Sequence, residues 1–494
     1  MSQQAVDIQF ALVSHTNNGK TTLARTLVGV DVGEVRDAAH VTVLAEAHLL
    51  QTSAAGDRLL LWDTPGFGDS LRLLKRLASS SNPIGWFMRE VFDRYRDRPF
   101  WLSQQALRAA KDAADVVLYL VNSSEDPRDA GYLAPEMKIL EWLGKPVVVL
   151  LNQLGPPRPD SQEQAEQARW KDYLDQFGIV RDVLPLDAFA RCWVHEDVFY
   201  DRIARLIDAA KQPGYARLLA GWQEDNLKRL RESLRLGAAQ VAAAARDSQA
   251  IEAEGKGNLF KTALKAVGLG KDEQKRQDAA MATLVERLNR HIADTTAALL
   301  RLHRVDPGEA GRINARVRDH FAVRAPVDKA QAGLLGAVVS GAATGLSADL
   351  MAGGLTMGGG ALLGAIVGGL TMAGAAWGFN TTTERDRPSV QFADPFLRTL
   401  LVGAVLRYLA VAHFGRGRGQ FVEGEAPAFW QTEVEAALAQ READLVRLWK
   451  AVRGAADDDA AAQLVLEILG PVTTATLERL YPGSAAHALS RQAA

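Results

Sequence analysis

The chain is poor in cysteine: Cys192 is the only one in 494 residues. That excludes a disulfide framework and a multi-cysteine zinc site, and it fits a reducing compartment. An excess of charge of either sign is also missing. Lys and Arg number 57 against 59 Asp and Glu, a formal net charge of -2, so the chain as a whole does not read as a nucleic-acid coat. The opening Met1–Val13 carries Asp7 and lacks the basic-then-apolar run of a secretory signal. What is present is ordinary globular composition, 48% hydrophobic and 23% charged. It excludes a disordered tail and suits about three domains at roughly 150 residues each.

Over the first 210 residues, short apolar runs alternate with helical patterns. Ile8–Val13, Arg58–Trp62, Asp115–Val121 and Pro146–Leu151 read as strands, and Thr52–Asp57 reads as a turn before the second. Thr21–Val28, Ser103–Ala114 and Pro135–Leu143 read as helices. Nearly continuous apolar strands interleaved with helices predict a mostly parallel sheet covered on both faces. Ligands on such sheets bind beyond the carboxyl ends of the strands.

Two motifs fall at those ends. After the first strand comes Ser14-His15-Thr16-Asn17-Asn18-Gly19-Lys20-Thr21-Thr22, which fits G-x-x-x-x-G-K-[ST] except that Ser14 stands for the first glycine. A helix starting at Lys20 directs its free N–H groups and positive dipole end at phosphate. Gly19 admits close backbone approach, Lys20 reaches the β and γ phosphates, and the Thr21 hydroxyl suits Mg²⁺. The second strand ends in Asp63-Thr64-Pro65-Gly66-Phe67, a D-x-x-G motif 43 residues (63 minus 20) after Lys20. Asp63 is placed to hold Mg²⁺ through water, and the Gly66 amide to touch the γ phosphate.

Together the motifs resemble the Era/TrmE-like P-loop GTPases of the translation-factor-related class. That group carries a hydrophobic residue where Ras-like enzymes have a water-orienting glutamine, and Phe67 occupies this position. Asn17–Leu23 is similar to its N-x-G-K-S-T-L, with Thr16 in place of the preceding proline. The resemblance implies that Asn17 matches the asparagine that coordinates a stimulating K⁺ in TrmE-like members. It aligns Val32–Val43 with V-G-x-V-x-x-x-x-G-T-T, making Thr42 the first-switch threonine, with His40 and Val41 replacing the glycine and first threonine. It therefore implies Lys20, Thr42 and Gly66 as catalytic and Thr21, Thr42 and Asp63 as the Mg²⁺ set. Ser14, Asn17, Asn18, Gly19, Lys20, Thr21, Thr22, Asn152 and Gln153 are then the nucleotide contacts. The family's base reader, N-K-x-D, is altered: Asn152 is kept, but Gln153 and Gly155 replace lysine and aspartate. Losing that charged bidentate contact relaxes guanine selection by roughly a few kcal/mol. A nucleoside triphosphate is thus better supported than guanine.

Between the second motif and the next helix, residues 70–102 form an insertion with Trp86, Phe87, Phe92, Tyr95, Phe100 and Trp101 interleaved with arginines. It reads either as a nucleotide-sensitive docking surface or as a permanently packed insertion. Acids among the arginines argue against RNA.

The second half is helical in pattern. Residues 255–271 are basic and apolar, which suits either an anionic membrane surface or a plain connection. Phe396–Ala412 and Trp430–Val452 read as amphipathic helices. Glycine is concentrated: 14 of 42 fall within residues 331–378, many at four-residue spacing, with Asp349 the only charge between 330 and 383. Such spacing lets helix backbones touch. Two readings stand, a hairpin in the cytoplasmic membrane with both ends cytosolic and a hairpin buried in a soluble domain.

The expected fold is an α/β P-loop NTPase domain followed by an all-α region. The expected division is 1–212 for the GTPase domain, 213–330 helical, 331–379 the Gly-rich hairpin and 380–494 the C-terminal helices. The expected function is a cytoplasmic GTP-binding regulatory protein with slow Mg²⁺-dependent hydrolysis, acting on a protein partner, a second copy or the membrane. The alternatives are a non-hydrolysing scaffold on the same fold and an RNA-maturation GTPase. The last lacks a clear nucleic-acid site.

Overall fold

The computed structural model describes residues 4–15, 18–28, 46–64, 66–67, 70–71, 74–75, 111–152, 160–186, 192–251, 271–305, 377–380, 389–414 and 429–481. The expectations for Asn17, Thr42, Gln153 and Gly155 lie outside these residues. So do those for the aromatic run 86–101, most of the basic stretch 255–271 and the Gly-rich segment up to residue 376. The chain divides into two compact units. One comprises Met1–Lys228, Ala412–Pro427 and Tyr481–Ala494, and the other Arg229–Val411 and Ala428–Leu480.

The first unit is built on six strands: β1 Asp7–Ser14, β2 Glu46–Thr52, β3 Arg58–Asp63, β4 Val116–Asn122, β5 Val147–Asn152 and β6 Val180–Pro185. Their order is β2-β3-β1-β4-β5-β6. All neighbours pair in parallel except β2, which runs antiparallel to β3. Among the described residues, four helices accompany them: α1 Lys20–Val28, α2 Leu133–Leu143, α3 Asp160–Leu174 and α4 Trp193–Ala204. A fifth, α5 Gln212–Arg246, opens in this unit and continues into the other.

Strand alternation explains why both faces are apolar. Along β4, Val117, Tyr119 and Val121 join one core with Met137 and Leu140 of α2 and Trp170 of α3. Val116, Leu118 and Leu120 join the other with Leu23 of α1, Phe199 and Ile203 of α4, and Tyr215 and Leu218 of α5. A strand buried on both faces must read as a continuous apolar run, and β4 and β5 do. Strand β2 does not: Glu46-Ala-His-Leu-Leu-Gln-Thr52 is an edge strand with Leu49 exposed, and its pattern gave no strand signal.

At the far edge of that sheet, the turn between β2 and β3 is fixed from several sides. Asp57 is buried and accepts from the Ser53 hydroxyl (2.5 Å), the Val6 amide (3.1 Å) and both arms of Arg217 on α5 (2.8 Å each). These donors hold the Asp57 carboxyl down at about 2, Arg217 being the largest cause. Gly214 allows α5 to come this close. A Cβ there would lie 2.2 Å from Val6 Cγ2 and 2.9 Å from Asp57 Oδ1.

The second unit is mainly helical. Beyond the rest of α5 it contains α6 Lys271–Leu302, most of α7 Asp394–Phe414, α8 Phe429–Ala439, α9 Glu442–Arg453 and α10 Asp458–Leu480. The stretch Trp430–Val452 is two helices, broken between Ala439 and Glu442. The unit also carries a small antiparallel sheet, absent from the sequence expectation, of β7 Ser248–Ala250, β9 Ser389–Phe392 and β8 Trp377–Asn380 in that spatial order. The end of the Gly-rich segment is thus a strand. Helix α7 is apolar and long enough to cross a membrane, yet 83% of its apolar window is buried inside the protein, which makes it a core helix. Here helices satisfy their own polar side chains. Thr296, Thr473 and Thr476 donate to the carbonyls of Ile292 (2.7 Å), Leu469 (2.8 Å) and Val472 (2.8 Å).

Candidate nucleotide site

The carboxyl ends of β1, β3, β4 and β5 lie side by side. Leu12 pairs with Asp63 and with Leu118, and Asn122 with Asn152. Chain emerging from β1 turns at this edge and enters α1. Gly19 has φ +83°, a conformation that penalises any side chain, and a Cβ would sit 2.7 Å from Asn152 Nδ2. Glycine is therefore required here twice over. The loop's first position, Ser14, is fully buried. Its hydroxyl donates to the His15 carbonyl and receives the Lys20 ammonium at 3.3 Å.

Of the residues expected at the site, Ser14, Asn18, Gly19, Lys20, Thr21, Asp63 and Asn152 are brought together. Lys20 is 8% exposed. Burial pushes its pKa down, partly opposed by the negative charges of Asp63 and Glu136. Such a desolvated cation is a strong electrostatic partner for an anion entering the loop. Thr21 Oγ1 donates to Asp63 Oδ2 at 3.0 Å. Thr22 is buried on α1. The Phe67 amide donates to the Ser14 carbonyl at 2.9 Å, so Gly66, the residue before it, lies next to the loop. The Thr64 hydroxyl donates to the Leu12 carbonyl at 2.7 Å and fixes the chain's exit from β3. The ring of Phe67 is fully buried in the core with Ala11 and Met137.

Asn152, expected on the base side, also braces the phosphate loop. Its Nδ2 donates to the Asn18 backbone carbonyl at 2.9 Å, and the Asn18 side-chain Nδ2 donates to the Leu120 carbonyl at 3.3 Å. As for a metal, no group of three or more His, Cys, Asp or Glu is assembled among the described residues. The hard oxygens of Thr21 and Asp63 do fit Mg²⁺, which takes one or two protein oxygens and completes its shell with phosphate and water.

Sequence reasoning missed an acid beneath the loop. Glu136, in the first turn of α2, has no exposed surface. It accepts from His15 Nδ1 (2.8 Å), Ser70 Oγ (2.5 Å) and the Tyr119 hydroxyl (2.5 Å). The His15 ring stacks on Tyr132 with centroids 4.3 Å apart, and Tyr132 donates to Glu125 at 2.7 Å. Burial first, then Glu136, pushes the Tyr119 hydroxyl pKa up, and burial with Glu125 does the same for Tyr132. The signal was there to find. Glu136 lies among Leu133, Met137 and Leu140 on the apolar face of its helix, where an acid must have partners.

Two family models match the chain. Residues 9–153 match the family described as 50S ribosome-binding GTPase. Residues 172–470 match the family described as domain of unknown function DUF3482. No curated protein matches the chain. Among solved structures it is similar to Era in complex with MgGDPNP and a segment of 16S ribosomal RNA, at 18% identity over 37% of this chain and 52% of that chain, with a TM-score of 0.28. It is also similar to an Aquifex aeolicus Era variant bound to GDP and AlF4-, at 19% identity over 37% and 52%, with a TM-score of 0.27. A third is the bacterial selenocysteine-specific elongation factor EF-Sec, at 16% identity over 40% and 28%, with a TM-score of 0.26. The chain spans about half the length of the Era chains it matches. The family match covering most of its length identifies the chain as a member of the DUF3482 family, carrying a P-loop GTPase domain ahead of that region.

Proposed function

We propose that this chain is a nucleotide-switched regulatory GTPase with slow hydrolysis. The observation that carries the reading is the convergence of the desolvated Lys20, the Thr21–Asp63 pair and the positive-φ Gly19 at one mouth of the sheet. Ser14, Asn17, Asn18, Gly19, Lys20, Thr21 and Thr22 would surround the phosphates, with Asn152 and Gln153 towards the base. Lys20 and the Gly66 amide would stabilise charge on the transferred phosphoryl group. Thr21 and Asp63, with Thr42, would hold Mg²⁺. Bound there, the ion would neutralise charge on the β and γ oxygens. K⁺ at Asn17 is the second cation of the proposal. Phe67 points into the core, so water must be oriented by backbone, cation or partner, which makes turnover slow. The nucleotide state would set engagement of the helical region with a protein partner or, through residues 331–378, with the cytoplasmic membrane.

The test is GTP and ATP affinity of the full chain and of Lys20→Ala. Wild-type binding that falls about a hundredfold or more in the variant supports the reading. No binding by wild type, or no change in the variant, removes it. The buried Phe67 also favours a second reading, a non-hydrolysing scaffold that keeps nucleotide binding. Multiple-turnover phosphate release separates the two.

A further inference from the structure

The acid beneath the loop has a role beyond filling the core. A carboxylate with no exposed surface is costly unless each oxygen is met by donors, and Glu136 is met by three. Tyr119 comes from the middle of β4 and is part of the core. The other two do not. His15 belongs to the phosphate loop, between Ser14 and Gly19. Ser70 lies four residues beyond Gly66, in the chain that leaves the second motif. Both donate to the same oxygen, Oε1. The same two segments meet again where His15 bridges to Phe67 and where the Phe67 amide reaches the Ser14 carbonyl. The His15 ring is held between Glu136 and the face of Tyr132, so this end of the arrangement is stiff. Ser70 ties the chain that leaves the second motif to the same carboxylate oxygen.

We infer that Glu136 is a positioning residue that latches the chain leaving the second motif to the phosphate loop through Ser70 and His15. Its partners are His15, Ser70 and Tyr119, so it acts through them. Its carboxylate fixes where the chain after Gly66 sits relative to the loop, and so how well the Gly66 amide is presented to a γ phosphate. Release of that segment must break the Ser70–Glu136 hydrogen bond. In the proposed mechanism the latched arrangement is the one that presents the Gly66 amide to a γ phosphate, and the latch weights the switch toward it. The inference rests on the GTPase reading above and names a control element for the same site.

The experiment measures affinity of the full chain for GDP and for a non-hydrolysable GTP analogue in Mg²⁺, together with the melting temperature. The variants are Ser70→Ala, Ser70→Thr, Glu136→Gln, Tyr119→Phe and the Ser70→Ala/Glu136→Gln double. A hydrogen bond to a charged acceptor sets the scale, so Ser70→Ala and Glu136→Gln should each lower the ratio of analogue to GDP affinity about tenfold. The double variant should lose no more than the larger single effect, and Ser70→Thr, which keeps a hydroxyl, should restore the ratio. Tyr119→Phe removes a donor to the same carboxylate on its core side. It should lower the melting temperature and leave the ratio unchanged. If Glu136→Gln and Ser70→Ala only lower stability, with both affinities falling together as in a core variant, Glu136 is a structural acid and the inference is overturned. If wild type binds neither nucleotide, the GTPase reading itself falls and the latch with it. Normal wild-type binding with an unmoved ratio removes the latch alone.

Discussion

The two units differ in where their buried polar groups gather. In the GTPase unit, Ser14, Asn18, Lys20, Asp63, Thr64, Ser70, Glu136 and Asn152 are all buried, and they crowd around the carboxyl ends of four strands. Their partners come from distant parts of the chain: Asn152 reaches Asn18, Thr21 reaches Asp63, and His15 and Ser70 reach Glu136. In the helical unit, Thr296, Thr473 and Thr476 are spread along helices and donate to carbonyls four residues back. Ser233 does the same with Arg229 and also meets His303. The threonine bonds are local and serve the helix that makes them, while Ser233–His303 and Arg407–Gln240 join separate helices as scattered single pairs. The arrangement in the GTPase unit is non-local and concentrated, and concentration of buried polar groups at one edge marks chemistry rather than packing.

That contrast can be broken. The largest effect should come from Gly19→Ala. A left-handed backbone costs a side chain about 1–2 kcal/mol, and the new methyl would collide with the Asn152 amide that also braces Asn18. Nucleotide binding should be lost by equilibrium titration while the melting temperature falls only modestly. Next comes Gly214→Ala, far from the phosphate loop. Overpacking against Val6 and Asp57 should cost about 1–3 kcal/mol by denaturant unfolding, with nucleotide affinity unchanged. If Gly214→Ala weakens binding as much as Gly19→Ala does, the division between site and packing is wrong.

A third test uses acid. The Asp57 carboxyl is held at about 2, below its ordinary 3.8. A depressed carboxyl stabilises the fold above its unfolded value, and the contribution is lost as pH falls through that value toward 2. Arg217→Ala removes the main cause of the shift, so its acid-unfolding midpoint should lie at higher pH than that of wild type. Equal midpoints would mean the Asp57–Arg217 pair contributes nothing. The smallest effect should be that of Thr473→Val. The hydroxyl only shares a carbonyl within its own helix, and the change should stay within about 1 kcal/mol of wild type. A larger loss would show that the helical unit's buried hydroxyls have partners that matter.

Local signals were legible in the sequence, and those that exist only after folding were not. Gly19-Lys20-Thr21 and Asp63 stand in contiguous motifs beside strong strands, so the mouth of the site could be read directly. Glu136 lies 121 residues from His15 and 66 from Ser70, and no periodicity links them. Its burial was readable from the apolar face of α2, but its partners were not. Asn152 was read for the base because of its motif, while its bond to Asn18 depends on β5 ending beside the loop. Strand β2 escaped because an edge strand needs no apolar run. The strand at Trp377–Asn380 escaped because Trp-Gly-Phe-Asn is only four residues at the end of a glycine-rich segment, too short for an alternation to show.

Helix α5 begins with Gln212-Pro213-Gly214, and its first turns belong to the GTPase core: Tyr215 and Leu218 are buried there, and the Tyr215 hydroxyl donates to the Tyr200 carbonyl at 2.7 Å. The same helix runs on to Arg246. During synthesis, then, the first module cannot close its hydrophobic core when its last strand leaves the ribosome. It must wait for the opening turns of a helix that the second module also needs. The opening turns of α5 thus complete the first module itself, and a nascent chain halted shortly before residue 215 would expose the face that they are made to cover.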